Sequence, residues 1–137
     1  MSAEYFLDTH VLVYAFDQTQ PRKRERARDL LDPDRDWVIS WQVVQEFSSV
    51  ALHRFTEPVS PTFLENFIEL VLWPKCRVMP SQGLYAAAIT LHDQTQYRFF
   101  DALIVAAAIE SGAPTLWTEN LQAGRRFDGL TIENPFG

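Results

Sequence analysis

Short strand-forming runs alternate with helical segments along the whole sequence, and this alternation constrains the fold more than any other feature. Tyr5 to Leu7 is an apolar run that ends at Asp8-Thr9, and His10 to Phe16 then carries the chain from strand into helix, with an Asp or Thr cap at the junction. Pro21 opens a polar helix running to about Asp32, where Asp32-Pro33-Asp34 marks a turn. Trp37 to Ile39 is a second strand, and Ser40 stands as the cap of a long helix from Trp41 to Phe55. Another helix is expected from about Pro61 to Trp73, and Arg77 to Met79 reads as a third strand, stopped by Pro80. Ser81 to Gln96 and Phe99 to Glu110 read as helices, the latter closed by Ser111-Gly112. Thr115 to Trp117 is a fourth strand, a short turn or helix follows near Leu121, and Leu130 to Ile132 is a fifth strand. Short strands separated by helices can bury both faces only in a parallel sheet held between helical layers. The expected class is therefore α/β, a sandwich of three layers with a central sheet of about five strands.

The 137 residues suit a single domain, 1–137, since a chain of this length buries roughly two thirds of its unfolded surface in one core. With 47% hydrophobic residues, 13% aromatics and 5 glycines, a packed core needs neither disulfides nor a structural metal. The single cysteine, Cys76, excludes an internal disulfide and gives no zinc spacing, which favours a reducing compartment. No run approaches the roughly 18 apolar residues of a membrane span, and MSAEYFLDTH lacks the order of a secretory leader, so a soluble, cytoplasmic protein with no membrane partner is expected. A formal net charge of −6 argues against nonspecific binding of nucleic acid through a broad basic patch.

In a parallel α/β sheet, ligands sit at the carboxyl ends of the strands, and acids follow these ends. Asp8 ends the first strand, Glu46 lies in the helix after the second, Asp101 opens the helix before the fourth, and Glu119-Asn120 follows the fourth. Each has an ordinary alternative: Asp8 as a helix cap, Glu46 as a solvated surface acid, Asp101 as an acid complementing a helix dipole. Glu46 falls at the margin of an apolar face made by Val43, Val44, Phe47, Val50 and Ala51, where an unpaired charge is costly. Asp101 is the sole charge in the run Phe99 to Ile109. Caps alone do not explain why separate segments deliver acids to one edge. Convergent carboxylates are usually reconciled by a hard cation, Mg²⁺ or Mn²⁺, which activates water and stabilises phosphoryl charge. The hydroxyls of Thr9 and Thr118 either orient such ligands or cap turns.

Four segments resemble the PIN-domain family, and within it the VapC toxins: Leu7 to Asp17, Gln45-Glu46-Phe47, Phe100 to Ala108 and Trp117 to Gly124, with Ile132 to Phe136 resembling the close of many such toxins. The likeness spans nearly the whole chain. It implies a PIN-like sandwich, a Mg²⁺-dependent endoribonuclease with RNA as substrate, a small VapB-like antitoxin as partner, and a homodimer. By matching position, the family's acidic quartet falls on Asp8, Glu46, Asp101 and Asn120. The last is a departure, because the family usually has Asp there. Either Asn120 ligates through its amide oxygen or a water, or Glu119 substitutes, or metal binding is weakened.

The run Arg22 to Arg28 either guides RNA or forms a solvated face balanced by Glu25 and Asp29. Arg98, Arg125 and Arg126 lie near the acids in sequence and are the candidate phosphate contacts. His10, His53 and His92 show no metal spacing. Trp37, Trp41, Trp73 and Phe67 read first as core. A phosphoacceptor receiver domain would need a lysine after its last strand, and the only lysines are Lys23 and Lys75. A PIN scaffold that binds RNA or protein without cutting is the remaining alternative, made credible by Asn120.

Overall fold

The structure, a computed structural model, describes residues 3–137. Its strands are β1 (Tyr5–Leu7), β2 (Trp37–Ser40), β3 (Cys76–Val78), β4 (Thr115–Trp117), β5 (Arg126–Phe127) and β6 (Leu130–Glu133). Its helices are α1 (Thr9–Tyr14), α2 (Pro21–Leu30), α3 (Trp41–His53), α4 (Pro61–Phe67), α5 (Gln82–Thr95) and α6 (Phe99–Ser111). The sheet order is β3-β2-β1-β4-β6-β5. The pairings along β3, β2, β1, β4 and β6 are parallel, and β5 pairs antiparallel to β6. The parallel part of the sheet has the five strands expected, and among the described residues a two-residue hairpin arm, β5, adds a sixth.

Helices flank this sheet. Contacts join α1 to α2 and α3, and α5 to α6, while α6 also lies against β2, β3 and β4. Seven successive residues of α6, Ala102 to Ala108, are buried, which accounts for a sequence apolar on all sides. Gly112 closes the helix at φ 79°, a conformation that suits glycine. The helix expected from Pro61 to Trp73 is α-helical only to Phe67. It widens into a π turn over Ile68–Leu72 and then tightens into a 3-10 turn over Trp73–Lys75, where Pro74 has no N–H to continue the ladder. Of the turn or helix expected near Leu121, it is the turn that forms, with bends at 119–121 and a turn at 123–124 leading to β5. Ser40 holds the cap position of α3, but its side chain makes no capping bond.

The core is built on β1, whose Phe6 and Leu7 are fully enclosed between β2 and β4. Trp37 is buried with its Nε1 donating to the Asp32 carbonyl at 3.0 Å. Trp73, in contrast, opens the 3-10 turn and is 52% exposed, so it is not part of the core expected for it. No helix among the described residues is long and apolar enough to cross a membrane.

The strand order fixes where the chain can host a ligand. From β1 the sheet grows one way through β2 to β3, then the chain crosses back to place β4 on the other side of β1. The carboxyl ends of β1 and β4 therefore flank the point at which the winding reverses, and connections leaving in opposite directions open a crevice there. Asp8 and Thr118 are the first residues beyond those two ends.

Candidate active site

Asp8 is 5% exposed, although it is charged in its ordinary state. Its backbone is extended (φ −74°, ψ 159°) as a helix cap requires, and its Oδ1 accepts the Thr9 N–H at 2.7 Å. Capping uses only half of the carboxylate. Oδ2 accepts the Thr118 hydroxyl at 2.8 Å, across the crevice from β4, and the backbone N–H of Asp8 donates to the Trp117 carbonyl at 3.1 Å. Burial pushes the Asp8 carboxyl above its usual range. The bonds from Thr118 and the Thr9 N–H and the nearby His10 oppose that rise, while the charge of Glu46 adds to it.

Glu46 reaches the same edge from α3. Thr9 donates its hydroxyl to Glu46 Oε1 at 2.7 Å, so one residue contacts both acids, through its backbone to Asp8 and through its side chain to Glu46. Gln42, one helical turn before Glu46 and buried, donates its amide to Glu46 Oε2 at 3.4 Å and to the Phe100 carbonyl at 3.1 Å. That second bond ties α3 to the first turn of α6, where Asp101 follows Phe100 half-buried. Asp101 has no hydrogen bond or ion pair to another side chain among the described residues.

Two buried polar atoms in this region have no protein partner, the hydroxyl oxygen of Ser40 and the amide oxygen of Gln42. Orphaned buried oxygens at this edge of the sheet are what a hard cation with its waters would satisfy, and the oxygen chemistry of Asp8 and Glu46 matches such a cation rather than zinc or copper. Among the described residues, no three His, Cys, Asp or Glu side chains are gathered closely enough to hold a metal. Asp8 and Glu46 are linked through Thr9, and Asp101 stands apart from that link, one residue beyond the Gln42 contact.

The residues after β4 divide. Thr118 is buried, and its hydroxyl, besides binding Asp8, accepts the Asn120 N–H at 3.2 Å, so it orders the loop as well as the acid. Asn120 itself is exposed. Glu119 makes no bond to Asp8, its Oε1 accepting the Tyr14 hydroxyl at 2.7 Å and its Oε2 accepting the Lys23 ammonium at 2.5 Å. Burial pushes the Glu119 carboxyl up, but the bonds from Lys23 and Tyr14 outweigh it and the net shift is downward.

The basic run of α2 is drawn largely into structure. Lys23 binds Glu119, the Arg26 Nε donates to the Pro135 carbonyl at 3.2 Å with its guanidinium 5.3 Å from the Trp117 ring centre, and the Arg28 Nε donates to the Ala15 carbonyl at 2.9 Å. Arg98 is exposed at the start of α6, three residues before Asp101. Arg125 lies over the rings of Tyr97 (5.3 Å) and Phe127 (5.0 Å) at the β5 rim, and Arg126 is exposed in β5 itself. His10, which sequence spacing sets aside, stands within electrostatic reach of both Asp8 and Glu119. Gln42 was equally silent in sequence, where only its place one turn before Glu46 could have marked it. A cavity of about 600 Å³ opens beside Thr9 and His10, with Val13, Phe16, Val50 and Arg54 in its wall.

The PIN domain family model matches residues 5–127. No curated protein matches the sequence. Among solved structures, a toxin–antitoxin complex from Klebsiella pneumoniae superposes with a TM-score of 0.70 at 20% identity, covering 98% of this chain and 98% of that one. VapBC2 from Rickettsia felis, bound to a DNA fragment from its promoter, gives 0.64 at 22% identity over 95% and 97% of the two chains. VapC20 from Mycobacterium tuberculosis, described as a toxin that cleaves the sarcin–ricin loop, gives 0.62 at 17% identity over 85% and 91%. At these identities the likeness establishes the fold.

Proposed function

The chain belongs to the PIN domain family, and from that premise we propose that it is a Mg²⁺- or Mn²⁺-dependent endoribonuclease acting as the toxin of a toxin–antitoxin pair. One observation supports this reading above the others: Asp8 is buried at the winding reversal, tied to β4 through Thr118 and to Glu46 through Thr9, with no ion pair of its own among the described residues. A buried carboxylate in that position is costly unless a cation joins it. Asp8 and Glu46, already linked through Thr9, would hold the cation, and Asp101 would join them only once the ion draws the acids together. When bound, it lowers the pKa of an attacking water and neutralises charge building on a phosphoryl oxygen. Thr118 and the Thr9 N–H fix the direction of the Asp8 lone pairs, while the Thr9 hydroxyl and the Gln42 amide restrain Glu46. Arg98, exposed beside Asp101, is the cation best placed to meet an RNA phosphate. The structures of similar fold that are toxin–antitoxin complexes support a small antitoxin as partner, and a homodimer belongs to the same reading.

Incubating the purified protein with RNA tests this directly. Cleavage is expected with Mg²⁺ or Mn²⁺, is expected to stop with EDTA, and is expected to be lost in Asp101→Asn, which keeps the shape of the acid without its charge. Production of the wild type alone should arrest bacterial growth and Asp101→Asn should relieve the arrest. Equal toxicity of the two would separate the arrest from catalysis. Thr118→Val removes the hydroxyl that orients Asp8 and is expected to weaken cation affinity about 10- to 100-fold, read as a shift in the Mg²⁺ dependence of thermal stability. The competing reading, a scaffold that binds without cutting, is favoured by the uncharged and exposed Asn120. It requires RNA binding with no cleavage at any Mg²⁺ or Mn²⁺ concentration.

A further inference from the structure

The Lys23 ammonium is half-buried in a seat of its own rather than free on the surface. It donates to Glu119 and, at 3.3 Å, to the Tyr14 hydroxyl, and it lies 4.7 Å from the Tyr14 ring centre and 5.5 Å from that of Phe136. Tyr14 and Phe136 meet edge to face at 4.9 Å, so the two rings form a corner that favours a cation on their faces. Four separate parts of the chain build this seat: α1 gives Tyr14, α2 gives Lys23, the loop after β4 gives Glu119 and the C-terminal tail gives Phe136. Both oxygens of Glu119 are consumed in it, although Glu119 adjoins Thr118, whose hydroxyl touches Asp8.

We infer that Lys23 is a positioning residue that withholds Glu119 from the acidic crevice, and thereby sets how strongly this chain binds a divalent cation. The inference rests on the reading of Asp8, Glu46 and Asp101 as cation ligands. Without Lys23, Glu119 loses its ion-pair partner beside a crevice that already contains a buried carboxylate. With a divalent cation present, the carboxylate gains more by turning toward that charge than by keeping a single bond from Tyr14, because affinity for hard cations rises with the number of charged oxygens presented. With Lys23 present, the same turn would leave an ammonium unpaired against two aromatic rings. The pair also fastens the loop that carries Thr118 to α1 and α2, and the Thr118 bond to Asp8 still anchors that loop when Lys23 is removed.

Mn²⁺ binding, measured by titration calorimetry on the full chain, tests this in a double-mutant cycle. Lys23→Met is expected to tighten Mn²⁺ about three- to tenfold, the gain from one added carboxylate. Glu119→Gln alone should change binding by less than about twofold, since neither of its oxygens is offered to the cation. The double variant should return to the wild-type value, and Lys23→Arg, which retains the ion pair, should remain there. Circular dichroism and thermal melts of each variant separate these effects from loss of fold. Unchanged or weaker Mn²⁺ binding in folded Lys23→Met, or a tenfold loss in Glu119→Gln, overturns the inference. Asp8→Asn keeps the two readings distinct: wild-type binding that survives this change refutes the underlying ligand assignment, whatever Lys23→Met does.

Discussion

Asp8→Asn is expected to abolish RNA cleavage and, in the absence of divalent cations, to make the protein more stable than the wild type. The loss of cleavage should reach about 10³-fold or more, corresponding to several kcal/mol of transition-state stabilisation. The gain in stability follows from the direction of the Asp8 shift. Its carboxyl ordinarily titrates near 3.8 and is raised in the folded protein, first by burial and further by Glu46. A raised acid binds its proton more tightly in the folded state, so its favourable contribution is complete below pH 3.8 and is lost as the pH climbs through the folded value. Above that range the folded protein carries a burial penalty that the unfolded chain does not. Asn carries none, keeps an oxygen for the Thr9 N–H, and can donate its amide to Thr118 once that hydroxyl turns. Melting in EDTA should therefore occur at least about 3 °C higher for Asp8→Asn, the shift that roughly 1 kcal/mol produces in a domain of this size. Mg²⁺ should raise the wild-type melting temperature and leave the variant unmoved. A variant that melts lower than wild type in EDTA would show that capping of α1 outweighs the buried charge.

The second large effect concerns Phe47, the residue after Glu46. Its ring is fully buried, with centroids at 5.6 Å from Phe16, 6.1 Å from Phe55 and 5.5 Å from Phe67. Truncation to Ala removes the fully buried ring of this aromatic group and leaves a void that α1, α3 and α4 cannot all close upon, at a cost of about 3–5 kcal/mol. Set against a total of about 5–15 kcal/mol for a protein of ordinary stability, that brings the fold near its limit. Urea unfolding should show the midpoint falling with the slope unchanged. Phe47→Leu retains most of the volume and should lose less, and its cleavage activity at low temperature should stay close to wild type, because the Glu46 bonds to Thr9 and Gln42 do not involve the ring. A loss below about 1 kcal/mol in Phe47→Ala would mean that the surrounding side chains close the void almost completely.

What the sequence makes legible here is what local pattern encodes. The runs at β1, β2, β4 and β6 and the apolar α6 announce themselves by continuous hydrophobicity, and the strand-end rule then points to Asp8, Glu46 and Asp101 without any contact being known. The hairpin arm β5 is different. Two residues, Arg126 and Phe127, are too few to show an alternating pattern, yet the turn that makes the arm is written in Asp128-Gly129, both at positive φ (46° and 88°), a pairing suited to a tight hairpin. The basic run on α2 is illegible for another reason. Whether Lys23 faces solvent or Glu119 depends on a partner 96 residues away, and Arg26 depends on the carbonyl of Pro135, so no local periodicity can tell an engaged cation from a free one. Gln42 is hidden similarly, since a single buried amide bridging two helices leaves no pattern of its own.

The brevity of the outer strands bears on how the protein behaves in a crowded solution. A sheet edge is a row of unpaired amides and carbonyls, and a long flat one recruits other chains into continuous strands. One rim here is β5, only 2 residues long; the other is β3, 3 residues long, with Arg77 paired to Asp36 at 3.1 Å and Pro80 close behind. Neither offers enough backbone in register to seed a growing ribbon, and the proline and the charged pair penalise an incoming strand further. The folded molecule is thereby guarded against fibre formation at its own margins, so that recognition by other molecules must be made through side chains rather than by lengthening the sheet.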